Sequence, residues 1–264
     1  QPSRWKGYRP FVITALDAQS EDVTQVSMEP LDRGLLPNYE PGQHVTIRLD
    51  VTHPDQGLIM PRTIAVRSYS LTGPAVESGK NHYQIAVRHA KARGPMGEDW
   101  DGLVSKHINQ RLKVGDRIEL QAPSGTFVIP VHSPRPLVFY AGGIGITPFL
   151  CALETAVEAK SKAEMLLLYG NRNHRGHAFE KRLKELQQHL PGLKIINVYS
   201  EPEVGAALNA DVIHGYLNVN LVEDSWMARR ALHYMCGPPI MMKALTEGLL
   251  SAGIPRFDIF KEIF

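Results

Sequence analysis

The sequence predicts two domains, a small antiparallel β-barrel followed by an α/β domain with a parallel sheet. Three observations carry this. The first half holds about six short runs of alternating apolar and polar residues with turn signals between them. From Leu137 the rhythm changes to near-continuous apolar runs alternating with helical segments. Between them, Pro130 to Pro136 places three prolines in seven residues. The chain of 264 residues is long enough for one large domain or two of about 130 residues. The break assigns 1–132 to the first and 137–264 to the second.

In the first half, strands are expected at Phe11–Ala15, Val23–Met28, His44–Leu49 after the turn Pro41-Gly42-Gln43, Arg67–Leu71, His82–Arg88, and Arg117–Gln121 after Val114-Gly115-Asp116. Trp5 precedes the first of them, and residues 52–63, with two prolines and a glycine, read as a loop. In the second half, strands are expected at Leu137–Ala141, Met165–Tyr169, Ile195–Tyr199, Leu232–Met235 and Phe257–Phe264. Helices are expected at Thr147–Glu158, Phe179–His189 and Pro239–Ser251.

The bulk properties exclude several classes. The chain is 43% hydrophobic and 21% charged, as in ordinary globular domains. Its net charge of +2 gives no nucleic-acid footprint. No apolar run approaches the roughly 20 residues of a membrane span. Cys151 and Cys236 make neither a disulfide framework nor a metal-ligand set, which fits a reducing cytoplasm. His174 and His177 have metal-like spacing but no third ligand candidate, so no metal site is expected.

Arg67-Ser68-Tyr69-Ser70-Leu71 combines a guanidinium fork suited to phosphate, a flat face with a polar tip, and a small hydroxyl. Alternation points Arg67 and Tyr69 one way and Ser70 the other. A half-buried strand with a surface arginine is the plain alternative. Gly142-Gly143-Ile144-Gly145-Ile146-Thr147-Pro148 follows a buried strand and opens a helix, with Thr147 able to cap and Pro148 suited to the first helical position. Free N–H groups there face a pyrophosphate. Pro148 stands where a dehydrogenase fingerprint has its third glycine, against an ordinary Rossmann dehydrogenase. Cys236-Gly237-Pro238-Pro239 again joins strand to helix, and a buried small hydrophobe is the plain reading of that cysteine. Met241 and Met242 read as helix packing. Arg172, His174 and Arg175 form a basic cluster after the second apolar strand, suited to a 2′-phosphate or to a solvated helix face, and Tyr199-Ser200 ends the next strand nearby.

These three motifs, in this order, resemble those of the ferredoxin–NAD(P) reductase superfamily, and most closely the reductase modules of flavohaemoglobins and phthalate-dioxygenase-type reductases. The resemblance covers nearly the whole chain. It implies a flavin-binding barrel and an NAD(P)-binding α/β domain. Arg67, Tyr69, Ser70 and Leu71 would hold the flavin. Gly102 and Ser105, opening a short helix, match the family's Gly-x-x-Ser for the flavin phosphate. His44 stands after Pro-Gly-Gln where the family often has an aromatic, and a barrel-surface histidine is the competing account. Arg88 would face the flavin ring or phosphate, or solvent. Gly142, Gly143, Gly145, Thr147, Pro148, Gly237 and Pro238 would cradle the dinucleotide, and Arg172 and Arg175 its adenosine ribose.

For the chemistry, the resemblance implies Ser70 beside the flavin, Cys236 beside the reacting nicotinamide carbon, and Glu262 and Phe264 at the terminus, with Phe264 covering the flavin ring. FAD is favoured over FMN, with Arg93 or Trp100 as adenine contacts. NADH is favoured over NADPH, although Arg172 and Arg175 pull the other way. The expected function is that of an NAD(P)H-dependent flavin oxidoreductase, acting as a monomer and passing electrons to a one-electron acceptor, an iron–sulfur or haem protein or domain. The chain itself has no Cys-rich iron–sulfur motif. A free flavin reductase, or an electron-transfer subunit that never meets NAD(P)H, are the other classes.

Overall fold

The structure is a computed structural model that describes residues 3–51, 63–77, 79–93, 99–202 and 212–263. Its first half is a six-stranded antiparallel sheet built from β1 (Arg9–Ala18), β2 (Val23–Pro30), β3 (His44–Asp50), β4 (Ile64–Ser70), β5 (Tyr83–Arg88) and β8 (Arg117–Leu120), in the order β4-β3-β8-β1-β2-β5. A short hairpin of β6 (Lys91–Arg93) and β7 (Asp99–Asp101) leads into helix α1 (Leu103–Gln110). The loop expected at 52–63 lies almost wholly outside the described residues.

The alternation read from sequence becomes an inward apolar face. Val45, Ile47 and Leu49 of β3 are buried with Phe11, Ile13, Val26, Tyr83 and Ile85. Trp5 seals this core, its indole N–H donating to the Leu120 carbonyl at 3.0 Å. The expected barrel needs one correction. The edge strands β4 and β5 meet only through a single bridge from Leu71 to Ile85, so the sheet curls round without a continuous closing ladder.

The second half is a six-stranded, all-parallel sheet ordered β12-β11-β10-β9-β13-β14. Its strands are β9 (Leu137–Gly142), β10 (Met165–Asn171), β11 (Leu193–Tyr199), β12 (Val212–His214), β13 (Leu232–Cys236) and β14 (Ile259–Glu262). Helices α2 (Thr147–Glu158), α3 (Glu180–His189), α4 (Asp224–Ala228) and α5 (Pro239–Ser251) accompany them. β9 lies at the centre with every residue buried, which is why its run is apolar on both faces. Apolar clusters form on both sides of the sheet.

The two halves share their packing. Phe127 and Ile129, ahead of the proline-rich break, and Val131 at its start belong to the core of the second sheet with Phe139, Phe149 and Tyr234. The same segment is tied back to the first half, with the Ile129 N–H donating to the Pro41 carbonyl at 2.9 Å. In the other direction, Cys151 of α2 packs into the core of the first half. The Ala75 N–H donates to the Thr155 hydroxyl at 2.8 Å.

His233, fully buried in β13, shares a 3.1 Å hydrogen bond with the Tyr140 hydroxyl. Burial holds its imidazole down at about 4, the nearby Asp258 carboxylate pulling the other way and Arg135 adding to the fall. The unfolded chain therefore takes up this proton first as pH falls, so the stability from a neutral His233 is complete above about 6.5 and is lost toward 4. Urea unfolding of the wild type should lose about 2 kcal/mol through this group between pH 7.5 and pH 5. His233→Phe, less stable at pH 7.5, should lose correspondingly less on the same acidification. Equal losses in the two proteins would show that His233 does not titrate in this way.

Candidate dinucleotide and flavin sites

The order of the parallel sheet reverses beside β9, with β10 on one side and β13 on the other. Open parallel sheets bind ligands in the crevice at the carboxyl ends of the strands flanking such a reversal. Here those ends carry Gly142, Asn171 and Cys236. Three glycines let the turns after β9 and β13 touch backbone to backbone. A Cβ on Gly145 would lie 2.2 Å from the Cys236 carbonyl oxygen. A Cβ on Gly142 would meet Pro238 and Met241 at 2.7 Å. Gly237, at φ +154°, lies 3.0 Å from Gly142 by the same measure.

Gly143, at φ +52°, starts a 3₁₀ turn over Gly143–Ile146 that runs directly into α2. Thr147 therefore does not cap α2. It is the first residue of that helix, and its hydroxyl donates to the Ile144 carbonyl at 3.1 Å. Pro148 follows, buried in the first turn.

These segments floor a crevice of 590 Å³ that also takes in Gly170, Arg172, Ser200 and Pro238. Its apolar walls are Tyr216, Leu217, Ile240 and Met241. Sequence reading missed most of these. Tyr216, 77% exposed, follows the three-residue strand β12 and carries no motif, and Ile240, 81% exposed, looks like any apolar helix residue. Met242 packs in the core as expected, but Met241 does not stop at packing, because it faces the crevice against Gly142 and Gly237. Ser200 borders the crevice, whereas Tyr199 is turned inward with its hydroxyl 2.7 Å from His177 Nδ1. Arg172 lines the crevice and faces Glu201 at 3.8 Å. Arg175 is exposed, its carbonyl accepting from the Glu21 N–H at 3.2 Å, and it does not line the crevice.

Cys236 is fully buried at the end of β13, paired in register with Glu262 of β14. Burial, with a smaller contribution from Glu262, pushes the thiol far above its ordinary range, so it stays protonated. Glu262 is half-buried and its carboxyl is likewise raised by burial. Phe264 lies outside the described residues.

In the first half, β3 and β4 set His44 opposite Ser70, Val45 opposite Tyr69 and Ile47 opposite Arg67. Ser70 is buried and its hydroxyl finds no hydrogen-bond partner among the described residues. Arg67 is exposed, and among the described residues its guanidinium donates only to the neighbouring Val66 carbonyl at 2.7 Å. Burial raises the Tyr69 phenol to about 12, with Arg67 opposing. His44 is half-buried and held neutral by that burial, its ring 3.4 Å from the Ser124 hydroxyl. An unanswered buried hydroxyl and a free cationic fork on one strand fit a phosphorylated flavin.

Three expectations for this half change. Leu71 is fully buried and its side chain packs in the core, so that side chain is not a ligand contact. The Ser105 hydroxyl accepts from the Ala90 N–H and donates to the Gly102 carbonyl, both at 3.0 Å, leaving it no proton to donate to a phosphate. What the segment still offers an anion is the backbone at the start of α1, whose N-cap Gly102 has no room for a Cβ beside Ser105. Arg88 points away from this strand, toward Gly143 of the second half. The side chains of Arg93 and Trp100 lie outside the described residues.

The oxidoreductase FAD-binding domain family matches residues 13–129, and the oxidoreductase NAD-binding domain family matches residues 139–247. The chain thus joins an FAD-binding to an NAD-binding oxidoreductase domain, and its fold matches that of the ferredoxin reductases. It is 32% identical to a flavohemoprotein of Rhodopirellula baltica, covering 100% of this chain and 62% of that protein. It is 31% identical to a flavohemoprotein of Rhizobium meliloti, covering 98% of this chain and 61% of that protein. The chain thus spans about three-fifths of the length of the curated relatives it matches. Its fold superimposes on the FAD/NAD-binding domain of nitric oxide dioxygenase from Vibrio cholerae with a TM-score of 0.81, at 26% identity, covering 97% of this chain and 98% of that one. The cytochrome b5 reductase domain of Ulva prolifera nitrate reductase gives a TM-score of 0.77, at 22% identity and 97% coverage of each.

The backbone contact at Gly145 is the reductase's tightest requirement in this region. Gly145→Ala should cost more than about 3 kcal/mol in denaturant unfolding, since the Cys236 backbone cannot retreat from the centre of the sheet. Gly115→Ala, at φ +95° with open space around it, should cost only about 1 kcal/mol. Comparable midpoints for the two variants would refute the close approach.

Proposed function

We propose that this reductase takes electrons from NADH and delivers them through FAD to a one-electron acceptor, a haem or iron–sulfur protein or domain. The observation that carries this reading is a dinucleotide crevice at the sheet reversal that opens onto the flavin half, with Arg88 of that half on its wall. FAD, when bound, accepts hydride from the nicotinamide and releases the electrons singly.

The chain's own residues bind and orient. Arg67 would hold the phosphate side of a bound flavin, Tyr69 would offer its flat face to the ring system, and the Ser70 hydroxyl, without a partner among the described residues, would hydrogen-bond the flavin. The start of α1 at Gly102 adds backbone N–H groups for the phosphates. Gly142 and Gly237 keep the crevice floor flat enough for a pyrophosphate, and Tyr216 with Ile240 offers apolar surface to a base. Cys236, held as a thiol next to Glu262, positions the nicotinamide and forms no covalent bond to it.

NADH is the preferred donor. Arg172, the arginine that the second half puts on the crevice wall, already has a carboxylate partner in Glu201. The reductase works as a monomer, and its two buried, unpaired thiols suit a reducing cytoplasm. No helix among the described residues is long and apolar enough to cross a membrane.

The purified protein should be yellow and should bleach on addition of NADH under anaerobic conditions. A colourless chain that neither FAD nor FMN reconstitutes would sink the flavin assignment. Arg67→Ala should weaken flavin retention by about 1.5–3 kcal/mol, the worth of a charge-assisted contact.

Stopped-flow reduction should be slowed by Cys236→Ala more than NADH binding is weakened, because positioning acts on the transition state. An unchanged single-turnover rate would reduce Cys236 to packing. kcat/KM should be higher for NADH than for NADPH, and the reverse order would refute the preference.

A further inference from the structure

The loop that leaves β10 at Asn171 carries Arg172 onto the crevice wall, makes a 3₁₀ turn over His174–Gly176 and returns toward α3 through His177. His177 does not line the crevice and is only 5% exposed. Its ring stands perpendicular to Tyr169 of β10 and to Tyr199 of β11, with centroids 4.9 Å and 5.8 Å away. Its Nδ1 is 2.7 Å from the Tyr199 hydroxyl. The Tyr169 hydroxyl donates to the Ala178 carbonyl at 3.3 Å, so both strands hold the returning loop.

Burial holds the His177 imidazole below its ordinary range, with Glu180 pulling the other way. Glu180 is itself occupied by His174 at 3.3 Å and by Lys184 at 2.7 Å. Burial also raises the Tyr199 phenol to about 12, so it keeps its proton. The two rings therefore share a neutral hydrogen bond shut off from water.

Above this bond the ends of β10 and β11 run on together. Asn171 pairs with Tyr199, the Ser200 N–H donates to the Asn171 carbonyl at 3.1 Å, and the Glu201 N–H donates to the Arg172 carbonyl at 2.8 Å. The Arg172 guanidinium then faces the Glu201 carboxylate at 3.8 Å. Both side chains are exposed, so this ion pair has little hold of its own. The backbone beneath keeps them opposed, and His177 and Tyr199 tie that backbone at its root.

We propose that His177 is a positioning residue for donor selection. By fastening the loop after β10 to the end of β11, it keeps Arg172 opposed to Glu201, and the crevice then disfavours a ribose that bears a 2′-phosphate. This rests on the reading of the crevice as an NADH site with the adenosine ribose beside Arg172. Released from Glu201, Arg172 would be free to meet a 2′-phosphate, and the carboxylate that repels that phosphate would move away.

The test is titration of the FAD-loaded full chain with ADP-ribose and with its 2′-phosphate, which differ only in that group. Wild type should bind ADP-ribose more tightly. Tyr199→Phe removes one oxygen and keeps the packing, and His177→Phe keeps a ring without a nitrogen. Each should shrink the ratio of the two affinities roughly threefold to tenfold, the worth of one hydrogen bond. The double variant should shrink it no further, because both changes remove the same bond. His177→Asn, whose amide oxygen can stand near the lost Nδ1, should recover part of the ratio. General loosening would weaken both ligands alike and leave the ratio where it was. A ratio unchanged in Tyr199→Phe, or losses that add in the double variant, would overturn the role of His177. A wild-type chain that binds neither ligand, or binds the 2′-phosphate more tightly, would overturn the NADH reading itself.

Discussion

Everything functional here depends on how closely two pieces of backbone approach each other. The turns after β9 and β13 lie against one another because Gly142, Gly145 and Gly237 present no Cβ at the contact. That closeness holds the Cys236 backbone against Gly145 and leaves Gly143 free to start the turn into α2. With side chains at these positions the strands would have to separate, and the crevice would lose its floor. The crevice is thus a product of packing before it is a product of any ligand-binding group.

A second constraint is electrostatic. Burial biases the ionisable groups close to the expected reacting centre toward their neutral forms. The Cys236 thiol and the Glu262 carboxyl are both shifted toward their protonated forms, and His44 toward its unprotonated form. Charge is found farther out, on Arg67, Arg88 and Arg172, where phosphates would lie. An interior biased toward neutral forms, with a cationic margin, would suit a reaction that moves hydride between two flat ring systems, since a fixed charge beside those rings would favour one redox state over the other.

Much of this was legible in the sequence, and the failures have identifiable causes. Helices α2 and α5 start and stop where their apolar spacing says they should, and all six barrel strands were readable from alternation. The glycine motifs gave the crevice floor, because a backbone contact leaves its mark as a missing side chain. The walls left no such mark. Tyr216 and Ile240 are single exposed apolar residues, and only the third dimension brings them to the same opening. Ser105 reads as a phosphate ligand and Thr147 as a helix cap, yet each hydroxyl donates to a carbonyl close to it in sequence, a competition that composition does not reveal. Arg88 was placed with the flavin because it shares a domain with Arg67, and sequence proximity could not show that its side chain leaves that domain.

The segment Phe127–Val131 has a bearing on how such modules are recombined. Its backbone is tied to the Pro41–Gly42 turn, while its side chains fill the core under Phe149 and Tyr234. The obvious splice point, the proline-rich stretch that follows, would hand a chimera the first half's strand of chain and the wrong plug for its new neighbour. A graft that respects the structure carries 127–131 with the second half and mends the seam at Pro41. The visible linker and the mechanical boundary between the modules are therefore different places.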